Sequence, residues 1–205
     1  MLKTIRNAAV LFLLLGIVCG AGYPLLVTVI AQHFFPFEAN GSLVVRDGKP
    51  VGSELIAQNW TEPRYFHGRP SANLGGPDNA MMSGGTNDGP TSPWLVKNVR
   101  ERIESERKLN PKEKGPVPQD LATASGSGLD PDITPEAALW QAGRVALARG
   151  VPRAEIESLI HRMTKKPLLH FLGVKRVNVL AINLELDRLY PVKQQKKEVR
   201  KAPRR

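Results

Sequence analysis

The stretch NAAVLFLLLGIVCGAGYPLLVTVIAQHFFPF, residues 7–37, contains no Asp, Glu, Lys or Arg, and Lys3 and Arg6 stand just before it. The hydrocarbon core of a bilayer is about 30 Å thick and takes about 20 helical residues to cross. The most apolar part of the stretch, residues 8–31, is long enough for that. The sequence therefore predicts one membrane-spanning helix over residues 8–31.

Charges on the two flanks of this span indicate its orientation. Flanks rich in Lys and Arg tend to stay in the cytoplasm. Lys3 and Arg6 lie on the N-terminal flank, whereas Glu38 follows the other one. We therefore expect residues 1–7 in the cytoplasm and residues 38–205 on the far side of the membrane.

Small residues and a proline interrupt the span: Gly16, Gly20, Gly22 and Pro24. Small residues let two helices approach closely in lipid, so this group is a candidate for packing against a neighbouring transmembrane helix. An ordinary anchor that tolerates glycine is the other interpretation, and the sequence does not separate the two.

A cleaved signal peptide is the main alternative to an anchor, because the segment is N-terminal and follows basic residues. The apolar run continues through residues 25–30, beyond the about 7–15 residues of a signal-peptide core. The small residues at 20–22 form a poor cleavage site, and the residues before Cys19 match a lipoprotein signal weakly. These features favour an anchor that is not cleaved.

The net charge of +10 is concentrated at the C-terminal end of the chain. Residues 191–205 contain seven Lys and Arg and one Glu, whereas residues 38–190 are nearly balanced. Nucleic-acid binders instead carry basic residues over a folded face, so nucleic acid is not an expected partner. The tail is predicted to be a disordered, solvated extension, with contact to acidic lipid as the alternative.

Residues 38–190 have the length of one domain with its own core. Cys19, the only cysteine, lies in the span, so this domain has no disulfide framework. Short strands are predicted at 42–45 and 53–57, with the turn signal Asp47-Gly48 between them.

A loop rich in Gly, Pro, Asn and Ser, without any period, occupies residues 59–93. Long loops of this kind are usually either functional or disordered. Trp60, Tyr65 and Phe66 lie within it and favour an ordered, packed loop.

Helices are predicted further along the chain from capping residues and apolar periodicity. They begin at Ser92-Pro93, at Thr134-Pro135 and after Pro152. Residues 177–190 fit both a strand and a helix capped by Asn178, and the helix is favoured. The predicted fold class is α+β: one N-terminal transmembrane helix followed by a single extracytoplasmic domain with several helices, short strands and long ordered loops.

Motifs that would indicate catalysis are absent from the sequence. No Gly-rich loop ends in Gly-Lys-Ser or Gly-Lys-Thr, as a phosphate-binding P-loop would. The four histidines lack the spacing of zinc ligands, and the Ser-x-x-Lys pattern at 105–108 lies in a charged helix end. Because no nucleophile has a neighbouring base, we expect neither an enzyme by itself, nor a metal site, nor a tightly bound cofactor.

Four separated motifs carry a resemblance to a known family. They are YFHGRPSA at 65–72, SGGTN at 83–87 followed by GPTSP at 89–93, DLATASGSGLDP at 120–131, and RVNVL at 176–180. In this order behind one N-terminal span, they are similar to those of the C subunit of the bacterial Kdp potassium-transporting ATPase. The resemblance covers nearly all of residues 5–190. Thr86 and Asp88 depart from the family pattern, which does not require the basic tail either.

The resemblance implies a non-catalytic, single-pass subunit of a four-part complex in the bacterial inner membrane. Its partners would be a channel-like subunit that selects potassium, a P-type ATPase subunit that hydrolyses ATP, a very small stabilising subunit, and membrane lipid. Potassium would be the transported ion, without a site on this chain. The role proposed in the family is that of a catalytic chaperone, which raises the ATP affinity of the catalytic subunit. Consistently, the chain lacks the Asp-Lys-Thr-Gly phosphorylation motif of P-type pumps.

Two Gly-rich turns and one glutamine are the candidates for contact with ATP: Ser83, Gly84, Gly85, Asn87, Ser125, Gly126, Ser127, Gly128 and Gln141. Backbone N–H groups of such turns can bind anions, but tight turns need glycine for conformational reasons as well. ATP is cytoplasmic, whereas the predicted orientation places all these residues on the far side. An effect on ATP is therefore expected to be allosteric.

The candidates for docking onto the channel-like subunit are Tyr65, Phe66, His67, Arg69 and Ser71. The guanidinium fork of Arg69 suits carbonyls or carboxylates of a partner, and a hydrogen-bonded brace within the loop is the alternative. Asn178 and Asp187 are expected to be a cap and a solvent-facing residue. The sequence thus predicts an anchored domain that packs on the potassium-selecting subunit, with an independent membrane-anchored binding or enzyme domain as the competing hypothesis.

Overall fold

The computed structural model describes residues 1–46, 48–169 and 171–192. The chain divides into two compact units, Met1–Leu55 and Ile56–Arg205. Asp47 of the predicted turn, His170, and residues 193–205 of the basic tail lie outside the described residues. The disorder expected for the tail therefore stays a prediction.

The first unit begins with a nearly continuous helix from Leu2 to Phe34. It consists of α1 (Leu2–Ile17), a wider π-helical turn (Val18–Gly22) and α2 (Tyr23–Phe34). The helix is long and apolar enough to cross a membrane, and none of its residues is buried in protein. The helix predicted for residues 8–31 is thus present and extends further at both ends.

The π-helical turn lies just before Pro24, whose ring would crowd the carbonyl of a regular preceding turn. Instead, the N–H of Tyr23 reaches back five residues to the carbonyl of Val18. After the turn, the Thr28 hydroxyl donates to the Pro24 carbonyl at 2.8 Å. The proline is thus accommodated within the helix by one widened turn.

The rest of the first unit is a short helix and a hairpin: α3 (Pro36–Ala39), β1 (Leu43–Arg46) and β2 (Lys49–Ser53). Arg46 lies opposite Lys49 in the antiparallel pair, and Gly48 has a φ of 75°, which glycine adopts without strain. The second strand predicted at 53–57 is wrong in position. Because the connection between Arg46 and Lys49 is so short, β2 begins at Lys49.

The second unit contains five helices and one short strand pair among its described residues. They are α4 (Pro93–Leu109), α5 (Gln119–Ala122), β3 (Asp132–Ile133), α6 (Pro135–Arg149), α7 (Arg153–Met163), β4 (Val177–Asn178) and α8 (Val179–Leu189). Strands β3 and β4 pair antiparallel. The α+β class and the predicted helices are confirmed, and the ambiguous segment 177–190 is mostly helix.

The predicted helix caps are confirmed as well. Ser92 accepts the N–H of Leu95, Thr134 that of Ala137, and Asn178 that of Ala181. Gly150 ends α6 with a φ of 68°, in the left-handed conformation that glycine favours at this position.

The core of the second unit lies among α6, α7 and α8. Its buried apolar residues include Val145, Ile156, Leu159, Ile160, Ile182 and Leu186. Phe66, from the long loop before α4, belongs to the same cluster with 0% exposure, and Trp60 packs against it. The ordered, packed loop predicted from its aromatic residues is therefore confirmed.

Candidate functional site

Three of the four sequence motifs meet in one group of loops. The N–H of Gly84 donates to the carbonyl of Ser127 at 2.8 Å, and the N–H of Ser125 donates to that of Pro70 at 3.1 Å. The Ser71 hydroxyl donates to the Gly128 carbonyl at 2.7 Å. We call residues 65–72, 83–85 and 124–130 the loop cluster. Its segments brace one another although they are far apart in the sequence.

Two glycines of the loop cluster leave little room for a side chain. A Cβ at Gly85 would lie 3.1 Å from the carbonyl oxygen of Gly126. A Cβ at Gly128, where φ is 68°, would overlap the side chain of Asn73. Gly84 and Gly126, by contrast, have nothing within 4 Å of that position. Close packing and backbone conformation thus account for glycine at 85 and 128.

Asn87, the last residue of SGGTN, also has a left-handed backbone, with a φ of 54°. Asparagine adopts this conformation more readily than most residues. Next to it, the Ser92 hydroxyl that caps α4 donates to the carboxylate of Asp88 at 2.9 Å. These residues join the loop to the start of α4.

Arg69, a predicted docking residue, pairs with Asp130 within its own chain. Its Nη1 lies 3.0 Å from the carboxylate, and both side chains are partly exposed. Its Nη2 lies 3.5 Å from the carbonyl of Ala124. The guanidinium of Arg69 thus stabilises the loop cluster. Because the side chain is partly exposed, its docking on a partner subunit stays a prediction.

Two buried amide side chains hold the backbone of the first motif. Asn183 of α8 accepts the N–H of Phe66 at 2.8 Å and donates to its carbonyl at 2.9 Å. Gln141 of α6 does the same for His67, at 2.8 Å and 3.0 Å. Both amides are fully buried, and together they replace the partners that a neighbouring strand would offer. Gln141, a candidate for ATP contact, therefore has its amide engaged inside the fold.

Arg144 of α6 contacts both the backbone of the first motif and the side chain of His67. Its Nη1 donates to the carbonyls of Pro63 at 2.6 Å and Tyr65 at 2.9 Å. Burial lowers the pKa of Arg144 to about 10, while Glu106 acts in the opposite direction. The pKa of His67 is lowered to about 4 by burial and then by the charge of Arg144. His67 is therefore neutral at physiological pH and fills a structural position.

Arg149, at the end of α6, connects the loop to α8. Its side chain has 0% exposure and lies 3.0 Å from the carboxylate of Asp187. It also donates to the carbonyls of Arg64, Leu186 and Tyr190.

The hydroxyl of Tyr65 donates to the other oxygen of Asp187 at 3.0 Å. Burial, and then this hydrogen bond, raise the pKa of Tyr65. The expectation that Asp187 faces solvent is wrong, because the carboxylate balances the buried Arg149. The sequence analysis did not identify Asn183 and Arg149 as structural residues. Each is a polar residue at an otherwise apolar position of its helix, and this pattern could have indicated a buried polar contact.

In the parts of the chain that the structure describes, no three His, Cys, Asp or Glu side chains could hold a metal ion. A cavity of about 180 Å³ lies beside the Arg69–Asp130 pair and is also lined by Asp120 and Arg176. The polar motif residues mainly hold loops in place.

A family model described as "K+-transporting ATPase, c chain" matches residues 5–188. The class is therefore that of subunits of potassium-transporting ATPases. The chain is 51% identical over 192 residues to the potassium-transporting ATPase KdpC subunit of Polaromonas naphthalenivorans, covering 94% of this chain and 98% of that one.

The corresponding subunit of Variovorax paradoxus is 52% identical over 185 residues, 90% of this chain and 96% of its own length. That of Methylococcus capsulatus is 47% identical over 189 residues, 92% and 100% of the two chains. The chain belongs to the KdpC family, and the resemblance drawn from the four motifs is confirmed.

Proposed function

We propose that this chain is a non-catalytic accessory subunit of a high-affinity, ATP-driven potassium uptake complex, in which it stabilises the assembly. The observation that carries the proposal is the match of residues 5–188 to the c-chain family. In this complex a channel-like subunit selects potassium, a P-type ATPase subunit hydrolyses ATP, and a small subunit stabilises the pair. Potassium is the transported ion and binds to those partners.

The helix Leu2–Phe34 serves as a single-pass anchor in the bacterial inner membrane. Lys3 and Arg6 favour a cytoplasmic N-terminus, which puts the second unit on the periplasmic or extracellular side. Small residues around the π-helical turn offer a close approach to a helix of a partner subunit: Gly16, Gly20, Gly22 and Pro24. Proteolysis of intact cells tests the orientation, since it should remove the second unit and spare the N-terminus.

The loop cluster is the surface that docks on the potassium-selecting subunit. A surface whose loops are already fixed loses little conformational freedom on binding. Phe66 and Tyr65 are buried beneath this surface, so they contribute to docking by holding it in shape. His67, Arg69 and Ser71 are partly exposed, so they are the docking candidates that a partner could contact.

Any effect on ATP affinity is allosteric in this proposal. The N–H groups of Gly84 and Ser125 already donate to carbonyls of the chain, and the amide of Gln141 is buried. These donors are therefore engaged, which favours an indirect effect over direct contact with ATP. Linkage then requires that ATP tighten the binding of this subunit by the same factor by which the subunit tightens ATP binding.

Purification of the tagged full-length chain tests the proposal. A channel-like and an ATPase subunit should copurify, and the ATP affinity of the complex should fall when this chain is left out. A stable chain that copurifies with neither subunit and carries its own activity would support the independent anchored domain. Thermal protection of the isolated chain by ATP, if lost in Gly84→Ala, would instead support direct nucleotide binding.

A further inference from the structure

Between α7 and β4 the chain forms a narrow excursion, of which the structure describes residues 165–169 and 171–176; we call these residues the finger. At its base, the N–H of Lys165 donates to the carbonyl of Arg176 at 2.8 Å, and the reverse bond measures 3.1 Å. Further out, Leu168 and Leu172 pair in the same way, at 3.1 Å and 2.9 Å. These two pairs give the finger the form of a small hairpin.

Large apolar side chains of the finger are exposed to solvent. Five of them are between 51% and 73% exposed: Leu168, Leu169, Phe171, Leu172 and Val174. Contiguous exposed apolar patches mark surfaces that bind proteins or membranes. A single exposed side chain such as Leu147 of α6 needs no such explanation.

Basic residues flank this apolar group on both sides. Lys165 and Lys166 precede it, Lys175 and Arg176 follow it, and all four are exposed. Arg176 also pairs with Asp132 at 3.1 Å. No acidic residue occurs in the sequence between Glu157 and Glu185. An apolar group within a basic surround is complementary to an anionic membrane surface, where the acyl boundary lies beneath negative headgroups.

We propose that the finger inserts its apolar residues into the bilayer interface, while Lys166 and Lys175 contact anionic headgroups. Lipid is favoured as the occupant because of this charge complementarity and because the chain itself provides the tether. The apolar helix ends at Phe34 and the second unit starts at Ile56, so a short segment of the same chain joins that unit to the anchor and raises its effective concentration at the bilayer. The proposal depends on the anchor and not on membership of a pump.

A fluorescent label on the full-length chain tests this contact. The chain, with Cys19→Ala, is reconstituted in vesicles of phosphatidylcholine with or without phosphatidylglycerol. A polarity-sensitive fluorophore is attached at Leu168→Cys, and at Leu147→Cys as the matched control. Quenchers carried by the lipid should quench position 168 at least about twofold more than position 147, and aqueous iodide should do the reverse.

The basic residues are tested in the same vesicles. Lys166→Glu together with Lys175→Glu should reduce lipid quenching at position 168, more strongly when phosphatidylglycerol is present. Equal quenching at positions 168 and 147 in both kinds of vesicle would overturn the proposal. So would protection of position 168 that arises only after the other pump subunits are added, because the finger would then bind protein.

Discussion

The side-chain amide of Asn183 pairs with both backbone groups of Phe66, accepting its N–H at 2.8 Å and donating to its carbonyl at 2.9 Å. Both residues have 0% exposure, so water does not replace this partner. A loop residue is thereby fixed to α8 by hydrogen bonds of the kind that join strands in a sheet. The shape of the loop cluster depends on this connection.

Replacing Asn183 by Leu should leave both backbone groups of Phe66 without their partner. An unpaired buried group costs about 1–3 kcal/mol, so two such groups should lower the free energy of unfolding by about 2–6 kcal/mol. Chemical unfolding of the full chain in mild detergent, followed by tryptophan fluorescence, measures this change. Gln119→Leu, at an exposed position of α5, is the control and should change stability by less than about 0.5 kcal/mol.

Alanine at two neighbouring glycines should give different results. Gly128→Ala places a Cβ against Asn73 at a φ of 68°, and we expect a loss of about 1–3 kcal/mol from strain and displacement. Gly126→Ala meets nothing within 4 Å and should be nearly neutral. Equal unfolding midpoints for the two variants would contradict the packing described for the loop cluster.

Arg149→Met should be among the most destabilising changes in the second unit. The substitution leaves the carboxylate of Asp187 beside a buried apolar side chain. It also removes the guanidinium that donates hydrogen bonds to three backbone carbonyls. Breaking a buried pair in this way costs about 3–5 kcal/mol. Arg188→Met removes an exposed pair with Glu185 and should lower the stability far less, because solvent screens such a pair. A comparable loss in the two variants would contradict the role assigned to Arg149.

Local features of this fold could be predicted from the sequence, and long-range ones could not. Ser92, Thr134 and Asn178 cap helices in the structure, because capping depends on residues three positions away. The pairing of Arg149 with Asp187 depends on where the tertiary fold places the end of α6 and α8, which no local pattern contains. The same holds for the loop cluster: its motifs were recognisable one by one, but their mutual hydrogen bonds follow from the tertiary fold.

The position of β2 shows a further limit of local patterns. Residues 53–57 are apolar enough for a strand. In the structure, however, Arg46 pairs with Lys49, so the second strand begins earlier. The observed pairing of Arg46 with Lys49 thus sets the register, which hydrophobicity alone did not predict.

Acid should destabilise the second unit through His67. The pKa of His67 is about 4 in the folded chain and near 6.5 in an unfolded one. Between these values the unfolded chain takes up a proton that the folded chain does not, so stability falls as the pH drops from about 6.5 and levels off below about 4. From pH 7 to pH 5 the loss assigned to this residue is about 2 kcal/mol.

His67→Gln should therefore lose less stability than the unsubstituted chain between pH 7 and pH 5, since glutamine does not titrate. Unfolding of the full chain in detergent at both pH values measures the difference, and shifts from other groups cancel in the comparison. His161→Gln, at an exposed position of α7, is the control for the exchange of histidine for glutamine. If the stability of His67→Gln changes with pH as much as that of the unsubstituted chain, His67 is protonated in the folded chain, and its burial against Arg144 does not hold the ring neutral.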